Sequence, residues 1–199
     1  MLNNLRADFQ AAMGDRTLES GWWRVLIRVE TPALLCYRFS HWVLSVRIPV
    51  IRQILIIVSA IWQRLIQMFM GVYISPDAEI GPGLLIHTPY GILVGPVKIG
   101  RNCTIQNGVV ITAASRGIGD DVYFGPGAKV VGDAKIGSHV TVMANSVVLT
   151  DVPDNTTVMG VPARIRLPRG RPKRFKWQVA KQEVAEQPVN GNPATKAKV

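Results

Sequence analysis

Histidine is the residue type in this chain best suited to acid–base chemistry, and one of its three histidines has an unusual setting. His87 lies in the segment GLLIHTPYGILVG, residues 83–95, between an apolar run and a turn-like Pro-Tyr-Gly. Histidine changes charge near neutral pH, so an accessible imidazole can remove a proton from a hydroxyl group. The elements around His87 decide whether it packs in a core or stands at a surface.

The other candidates for chemistry are weaker. His139, in IGSHVTV, and His41, in YRFSHWV on a predicted helix, have settings typical of structural residues. A zinc site of three histidines is hard to build within one chain, and we expect no metal. The two cysteines, Cys36 and Cys103, are too few for a disulfide framework, which favours a reducing, cytoplasmic compartment.

A six-residue repeat defines the middle of the chain. Branched or aromatic apolar residues recur every six positions with two one-residue irregularities: Ile74, Ile80, Ile86, Ile92, then Ile99, Ile105, Ile111, then Ile118, Phe124, Val130, Ile136, Val142 and Val148. Neither a helix nor an ordinary strand has this period. It predicts a three-sided prism whose coils stack and bury one aliphatic column.

The repeat also predicts where side chains point. Glycines 81, 100, 119, 125 and 137 directly follow an inward residue, where we expect the chain to turn a corner tightly. His87 likewise directly follows the inward Ile86, so it should stand on the outer wall of the prism. An irregularity of the repeat follows it, and such departures often mark functional sites.

Charge is concentrated in the flanks. Residues 1–72 contain eight basic and four acidic side chains, residues 73–163 five and seven, and residues 164–199 ten and two. A near-neutral repeat region argues against a nucleic-acid groove. The start, MLNNLRADFQ, has charges where a secretory signal would have an apolar core, so we expect no cleavable signal.

The repeat, closing on SVVLTDVPDNTTVMGVPARI, resembles the hexapeptide-repeat acyltransferases, and within them the serine acetyltransferase-like group. LRADFQAAMGDR, CYRFSHWVL, IHTPYGILVG and GVPARI are similar to segments of that group in the same order. The resemblance implies an α+β fold, with an N-terminal α-helical domain followed by a left-handed parallel β-helix. We expect a helical domain over residues 1–72, the β-helix over 73–167 and a basic, largely disordered tail over 168–199.

The resemblance also implies acetyl-CoA as acyl donor and a role for each site residue. His87 would be the general base, and Ala113 would supply a backbone N–H to the oxyanion. The expected cofactor-binding residues are Ala113, Ala114, Gly125, Ala144 and Arg164, and the expected substrate contacts are Tyr90 and Arg116. Tyr90 could instead close its turn, and either arginine could be an ordinary solvated residue.

The sequence departs from the serine acetyltransferase pattern in two places. Those enzymes have an Asp-His pair where this chain has Ile86-His87. They also have an Arg-His-Pro where this chain has ITAASRGIG, and Ser115 lies near the position of the second histidine. The missing residues help to hold serine in the family. We therefore expect a hydroxyl of a sugar or exopolysaccharide precursor as acceptor, with serine and a non-catalytic trimeric scaffold as alternatives.

The helix predicted over residues 47–72 is apolar outside one stripe: Arg52, Gln53, Ser59, Gln63, Arg64 and Gln67. Its apolar side must contact other subunits or a membrane surface. We expect a homotrimer or a dimer of trimers, with peripheral membrane contact as the second possibility. The run between its arginines is short for a bilayer span. The adjacent tryptophans in GWWRVLIRVE and the basic tail favour the membrane surface.

Overall fold

The computed structural model describes residues 2–13 and 30–166. The adjacent tryptophans and the tail from residue 168, with its expected disorder, lie outside these residues. Within the described residues, three helices come first: α1 is Leu2–Met13, α2 is Glu30–Leu44 and α3 is Pro49–Met70. All described elements belong to one compact unit.

Fifteen short strands follow the helices and form three sheets. Sheet A contains β1 (Tyr73–Ile74), β4 (Leu93–Val94), β7 (Val110–Ile111), β10 (Lys129–Val130) and β13 (Val147–Val148). Sheet B contains β2 (Glu79–Ile80), β5 (Lys98–Ile99), β8 (Gly117–Ile118) and β11 (Lys135–Ile136). Sheet C contains β3 (Leu85–Ile86), β6 (Thr104–Ile105), β9 (Tyr123–Phe124), β12 (Thr141–Val142), β14 (Thr157–Met159) and β15 (Arg164–Arg166).

Successive strands lie on successive sides, so the chain winds as a three-sided parallel β-helix, as the repeat predicts. The second residue of each strand from β1 to β13 points inward and is buried; Ile105, Ile111 and Phe124, for example, are fully inaccessible to solvent. Parallel ladders join each coil to the next, for instance Ile105 to Phe124. Only β15 runs antiparallel, against β14, and ends sheet C.

The predicted register is wrong at one side of the first coil. The inward residue of β4 is Val94, which pairs with Ile74 and Ile111, rather than Ile92. Eight residues therefore separate Ile86 from Val94, where later coils use six. Ile92 is itself buried, which is why apolar spacing alone points to it.

The glycines that follow inward residues have a different role from the one expected. A Cβ on Gly100 would lie 2.6 Å from the carbonyl carbon of Gly119, and one on Gly125 would lie 2.7 Å from the nitrogen of Ala144. Neither glycine has a positive φ. These positions need glycine because stacked coils approach closely, rather than because the chain turns there.

Left-handed residues form rows along two edges of the prism. The edge between sheets C and A, here called the C–A edge, has positive φ at Gly91, Gly108, Gly127 and Asn145. The edge between sheets B and C, the B–C edge, has it at Gly83, Asn102, Asp121, His139 and Asn155. Gly71, the C-cap of α3 with φ of 64°, stacks directly on Gly91 and extends the first row.

The helices close the first coil of the β-helix, whose backbone has no preceding coil to bond. Buried Asp8 of α1 accepts the N–H groups of Gly83 at 2.8 Å and Leu84 at 2.9 Å. Arg38 of α2 donates to the carbonyls of Ile80 and Gly81, both at 2.7 Å, and forms an ion pair with Asp8 at 2.9 Å. Side chains thus replace the missing ladder.

The α3 helix presents its apolar residues outward. Its inner stripe packs on α2 and the first coil, where Ser59 is buried and Gln63 donates to the carbonyl of Ile74 at 3.0 Å. The predicted polar stripe is therefore partly turned inward. The 22-residue helix is long and apolar enough to cross a membrane by length and composition, with a mean hydropathy of 1.4.

Candidate active site

His87 lies at the C–A edge, with its side chain on the outside of the prism. Ile86 points inward and is 2 % exposed, whereas His87 is exposed, and its backbone N–H donates to the carbonyl of Ile105 at 2.9 Å. The same ladder position in the next coils is occupied by Gln106 and Gly125. The imidazole therefore belongs to the outer wall, where a substrate can reach it.

The two extra residues of the first coil lie directly after His87. Thr88 has a positive φ of 47°, and the N–H of Tyr90 donates to its carbonyl at 2.7 Å. The carbonyl of Tyr90 accepts the N–H of Gly108 at 2.8 Å, so the widened corner rests on the next coil. The Tyr90 side chain is 53 % exposed, which leaves its ring available to a ligand.

Gly125 and Ala144 lie on the same edge as His87, two and three coils further along. At about 4.8 Å per coil, they are roughly 10 and 14 Å from His87. Ala144 is exposed, and the neighbouring Pro126, which has no N–H, uses its carbonyl to accept from Asn145 at 2.8 Å. An extended ligand on this edge would meet backbone groups and small side chains.

Ala113 and Ala114 lie on another edge, between sheets A and B. Both are exposed, and their N–H groups have no hydrogen-bond acceptor within residues 2–13 and 30–166. These groups can donate to a ligand. One side of the prism separates them from His87, roughly 15–20 Å for about six extended residues. Within one chain, the proposed base and the proposed oxyanion donors are not brought together.

Within residues 2–13 and 30–166, the best-formed depression of the surface lies away from these residues. A depression of about 320 Å³ lies on sheet B, beside Gly117, between Lys98 and Lys135. None of the predicted site residues lines it.

The comparisons with known proteins agree with this fold. Residues 117–150 match the family model "Bacterial transferase hexapeptide (six repeats)". The serine acetyltransferase of Synechococcus elongatus is 34 % identical over 174 residues, covering 83 % of this chain and 68 % of that protein. The chain belongs to the hexapeptide-repeat acyltransferases. It is an acyltransferase of the serine acetyltransferase-like group, and its fold is the left-handed β-helix expected from the resemblance of its sequence to this family.

Two solved structures give the same family. Soybean serine acetyltransferase complexed with serine has a TM-score of 0.67 and 32 % identity, covering 82 % of this chain and 68 % of that one. A serine acetyltransferase in complex with CoA has a TM-score of 0.64 and 27 % identity, covering 83 % and 69 %. This acyltransferase spans about two thirds of the length of the Synechococcus elongatus enzyme. It spans about half of the length of the serine acetyltransferases of Staphylococcus epidermidis and Staphylococcus aureus.

The burial of Ile86 does not fit the comparison of the family's Asp-His pair with Ile86-His87. Ile86 points into the aliphatic column, so a carboxylate in its place would be buried without a partner. If both side chains of the family's pair face outward, the pair corresponds to residues 87 and 88 of this chain. In this acyltransferase His87 then falls at the acid position and exposed Thr88 at the histidine position.

The second departure, ITAASRGIG, is also structural. Ser115 is buried, and its hydroxyl donates to the carbonyl of Ala134 at 3.0 Å. Arg116 is paired with Asp133 at 2.9 Å and with Asp151. The hydrogen bond that Arg116 donates to Asp151 raises the pKa of Arg116, and the negative charge of Asp133 adds to this rise. Arg116 thus joins three coils, and its expected contact with substrate would require breaking both ion pairs.

The remaining candidates lie apart from His87. Arg164 is in β15, at the far end of sheet C and roughly 24 Å from β3 at one strand spacing per step. His41 contacts the carbonyl of Pro76 through Nδ1 at 2.8 Å, and His139 fills a left-handed corner position. Among the described residues, no cluster of three or more His, Cys, Asp or Glu could hold a metal ion.

Gln106 is a further polar residue at the C–A edge, beside His87, that the sequence analysis does not single out. It follows His87 along the ladder, is half-buried, and hydrogen bonds with the hydroxyl of Tyr123. Burial raises the pKa of Tyr123, and the bond with Gln106 opposes this rise. The signal was present in the sequence, because Gln106 follows the inward Ile105 as His87 follows Ile86.

Proposed function

We propose that this acyltransferase transfers the acetyl group of acetyl-CoA to the hydroxyl of L-serine. The observation that carries the proposal is the match over 174 residues to a serine acetyltransferase. It is supported by the structural likeness to serine acetyltransferases complexed with serine and with CoA. These findings favour serine over the sugar hydroxyl expected from the sequence.

In the proposed reaction, His87 is the general base, because among the described residues it is the one imidazole on the C–A edge and it directly precedes the position compared with the family's histidine. Its imidazole takes the proton of the acceptor hydroxyl while that oxygen attacks the thioester carbonyl carbon. Backbone N–H groups stabilise the oxyanion of the tetrahedral intermediate. The carbon–sulfur bond then breaks, the imidazolium returns its proton to the departing thiolate, and the products are the acetyl ester and free CoA. No metal takes part in this proposed sequence.

The proposed site is completed by a second chain. His87 and the free N–H groups of Ala113 and Ala114 are roughly 15–20 Å apart in one chain, which is too far for both to act on one carbonyl. A homotrimer, alone or as a dimer of trimers, would place one edge against another edge of its neighbour. Gly125 and Ala144 would then line the acetyl-CoA groove, with Arg164 towards its far end.

A sugar hydroxyl is the second candidate acceptor, and it rests on one observation. Ser115 is buried and bonded, and Arg116 is held by two aspartates, so neither residue replaces the family's Arg-His-Pro in holding serine. The comparisons give this acceptor no support. Either acceptor is compatible with a cytoplasmic enzyme, which we propose because two cysteines are too few for a disulfide framework.

The test is release of CoA thiol by the purified full chain with acetyl-CoA and a panel containing serine and sugars. We expect turnover with serine, reduced about 10²- to 10⁴-fold in His87→Ala. His139→Asn is the matched control, because its side chain is exposed away from the C–A edge, and it should retain full activity.

Three results would contradict parts of this proposal. Turnover with a sugar but not with serine would replace the acceptor. Unchanged turnover in His87→Ala would remove His87 as the base and direct attention to Thr88. No turnover with any acceptor would favour a non-catalytic scaffold.

A further inference from the structure

The α3 helix carries an exposed apolar face that the proposed reaction does not use. This face, here called the α3 face, consists of Val50, Ile51, Ile54, Ile57, Val58, Ile61, Leu65, Met68 and Phe69. Each of these side chains is between 46 and 74 % exposed. They cover about 120° of the helix surface, at ~100° per residue, along a length of roughly 33 Å.

The α3 face is too large to be ordinary protein surface. Nine half-exposed large side chains present on the order of 1,000 Å², whereas the largest apolar patch of a typical monomer is about 300–600 Å². Only 6 % of the most apolar 18-residue stretch of the helix is buried inside the protein. The face must therefore be covered by something in the functional state.

The opposite side of α3 argues against a transmembrane orientation. Gln63 is bonded to the carbonyl of Ile74, Ser59 is buried, and the ring of Trp62 lies 5.8 Å from that of Phe39 in α2. A helix that crossed a bilayer would have to give up these contacts with the prism and α2. Lying along a surface, it keeps them and still buries the α3 face.

The charged residues of the helices indicate what kind of surface covers the α3 face. Every exposed ionised side chain described within residues 2–13 and 31–72 is an arginine: Arg6, Arg47, Arg52 and Arg64. The one described acid there, Asp8, is fully buried and paired with Arg38. Arg64 borders the α3 face at ~100° per residue, whereas Arg52 lies on the opposite side of the helix. Two copies of the face would bring their Arg64 charges close together, whereas an anionic surface complements this charge.

We propose that the α3 face binds the surface of an anionic lipid bilayer, with the helix axis parallel to the membrane plane. Apolar side chains enter the boundary between headgroups and acyl chains, and the arginines remain at headgroup level. Trp42 of α2, 40 % exposed beside this face, belongs to the same surface. The enzyme would thus work at a membrane without spanning it.

Sedimentation of the full chain with vesicles tests this proposal. We expect binding to phosphatidylcholine vesicles containing a third phosphatidylglycerol, weaker binding to phosphatidylcholine alone, and weakening with added salt. Ile57→Glu with Ile61→Glu should lower partitioning at least about tenfold, because two inserted side chains become charged. The matched control is Gln53→Glu with Gln67→Glu, which adds the same charge on the polar side of the helix and should lower it far less.

The variants also separate this surface from the other possible occupants. Circular dichroism and unchanged turnover with soluble acceptor will establish that the variants fold. If Ile57→Glu with Ile61→Glu binds vesicles as well as the unaltered chain, the α3 face is not the membrane surface, and the basic residues 164–199 become the explanation. If vesicles are not bound and the same variant halves the mass measured by light scattering, the face joins two copies instead.

Discussion

Replacing Asp8 by alanine should destabilise the whole protein, because Asp8 joins the helices to the open end of the β-helix. Its carboxylate is fully buried and accepts four hydrogen bonds, two from Arg38 and two from the backbone of Gly83 and Leu84. The substitution leaves a guanidinium that is 4 % exposed without its counter-charge and leaves two amides unbonded.

Breaking one partner of a buried ion pair costs about 3–5 kcal/mol, and each orphaned buried group adds about 1–3 kcal/mol. Against a typical stability of about 5–15 kcal/mol, this is a large fraction. For a chain of this size the melting temperature should fall by roughly 10 °C or more. Urea denaturation followed by circular dichroism measures the change in the free energy of unfolding.

The matched control is Glu79→Gln, which breaks the ion pair between Lys98 and Glu79. That pair has the same length, 2.9 Å, but its side chains are 77 % and 61 % exposed, so its loss should cost less than about 1 kcal/mol. A double-mutant cycle of Asp8→Leu and Arg38→Met should show coupling of about 2 kcal/mol or more. If Asp8→Ala is no more damaging than Glu79→Gln, the capping account is wrong.

Three further predictions concern the prism. Gly100→Ala should cost about 1–3 kcal/mol in the free energy of unfolding, because its Cβ would meet the backbone of Gly119; wild-type stability would contradict close stacking. His139→Asn should leave stability unchanged and His139→Val should cost about 1–2 kcal/mol, since φ there is 57°; equal stability of the two variants would show that the corner tolerates any residue. The Lys135 N–H and Arg116 lower the pKa of Asp151, so its stabilisation is present above its ordinary value of 3.8 and is lost as pH falls through the lowered folded value. Asp151→Asn should therefore have a lower urea midpoint than the unaltered chain at pH 7 and the same midpoint at strongly acidic pH, and a gap that persists in acid would contradict this.

The sequence predicts the β-helix well because its period is repeated over thirteen positions and only a stacked prism explains it. His87 is placed on the outer wall for the same reason, since its neighbour Ile86 belongs to the repeat. The register fails at Ile92 because both Ile92 and Val94 are buried, and apolar type alone cannot say which residue pairs with the next coil.

Other features depend on contacts that no local pattern contains. Asp8 meets Gly83 across 75 positions, and Arg116 meets Asp151 across 35. Both residues look like ordinary surface charges in the sequence. Their partners are identified only once the helices and coils are assembled, because these contacts join positions that are far apart in the sequence. The acceptor is a similar case, since in the proposed oligomer its contacts come from two chains.

Gly71 fixes the number of residues that can join α3 to the first strand of the prism. It caps α3 and is also the first member of the left-handed row that continues through Gly91 and Gly108. One inserted residue between Met70 and Tyr73 would rotate the helix by about 100° and would also displace the first strand from its partner. A chimaera that takes this helical segment from a relative must therefore keep the same number of residues between the helix and the first strand. Gly71 is the position at which the two sequences should be joined.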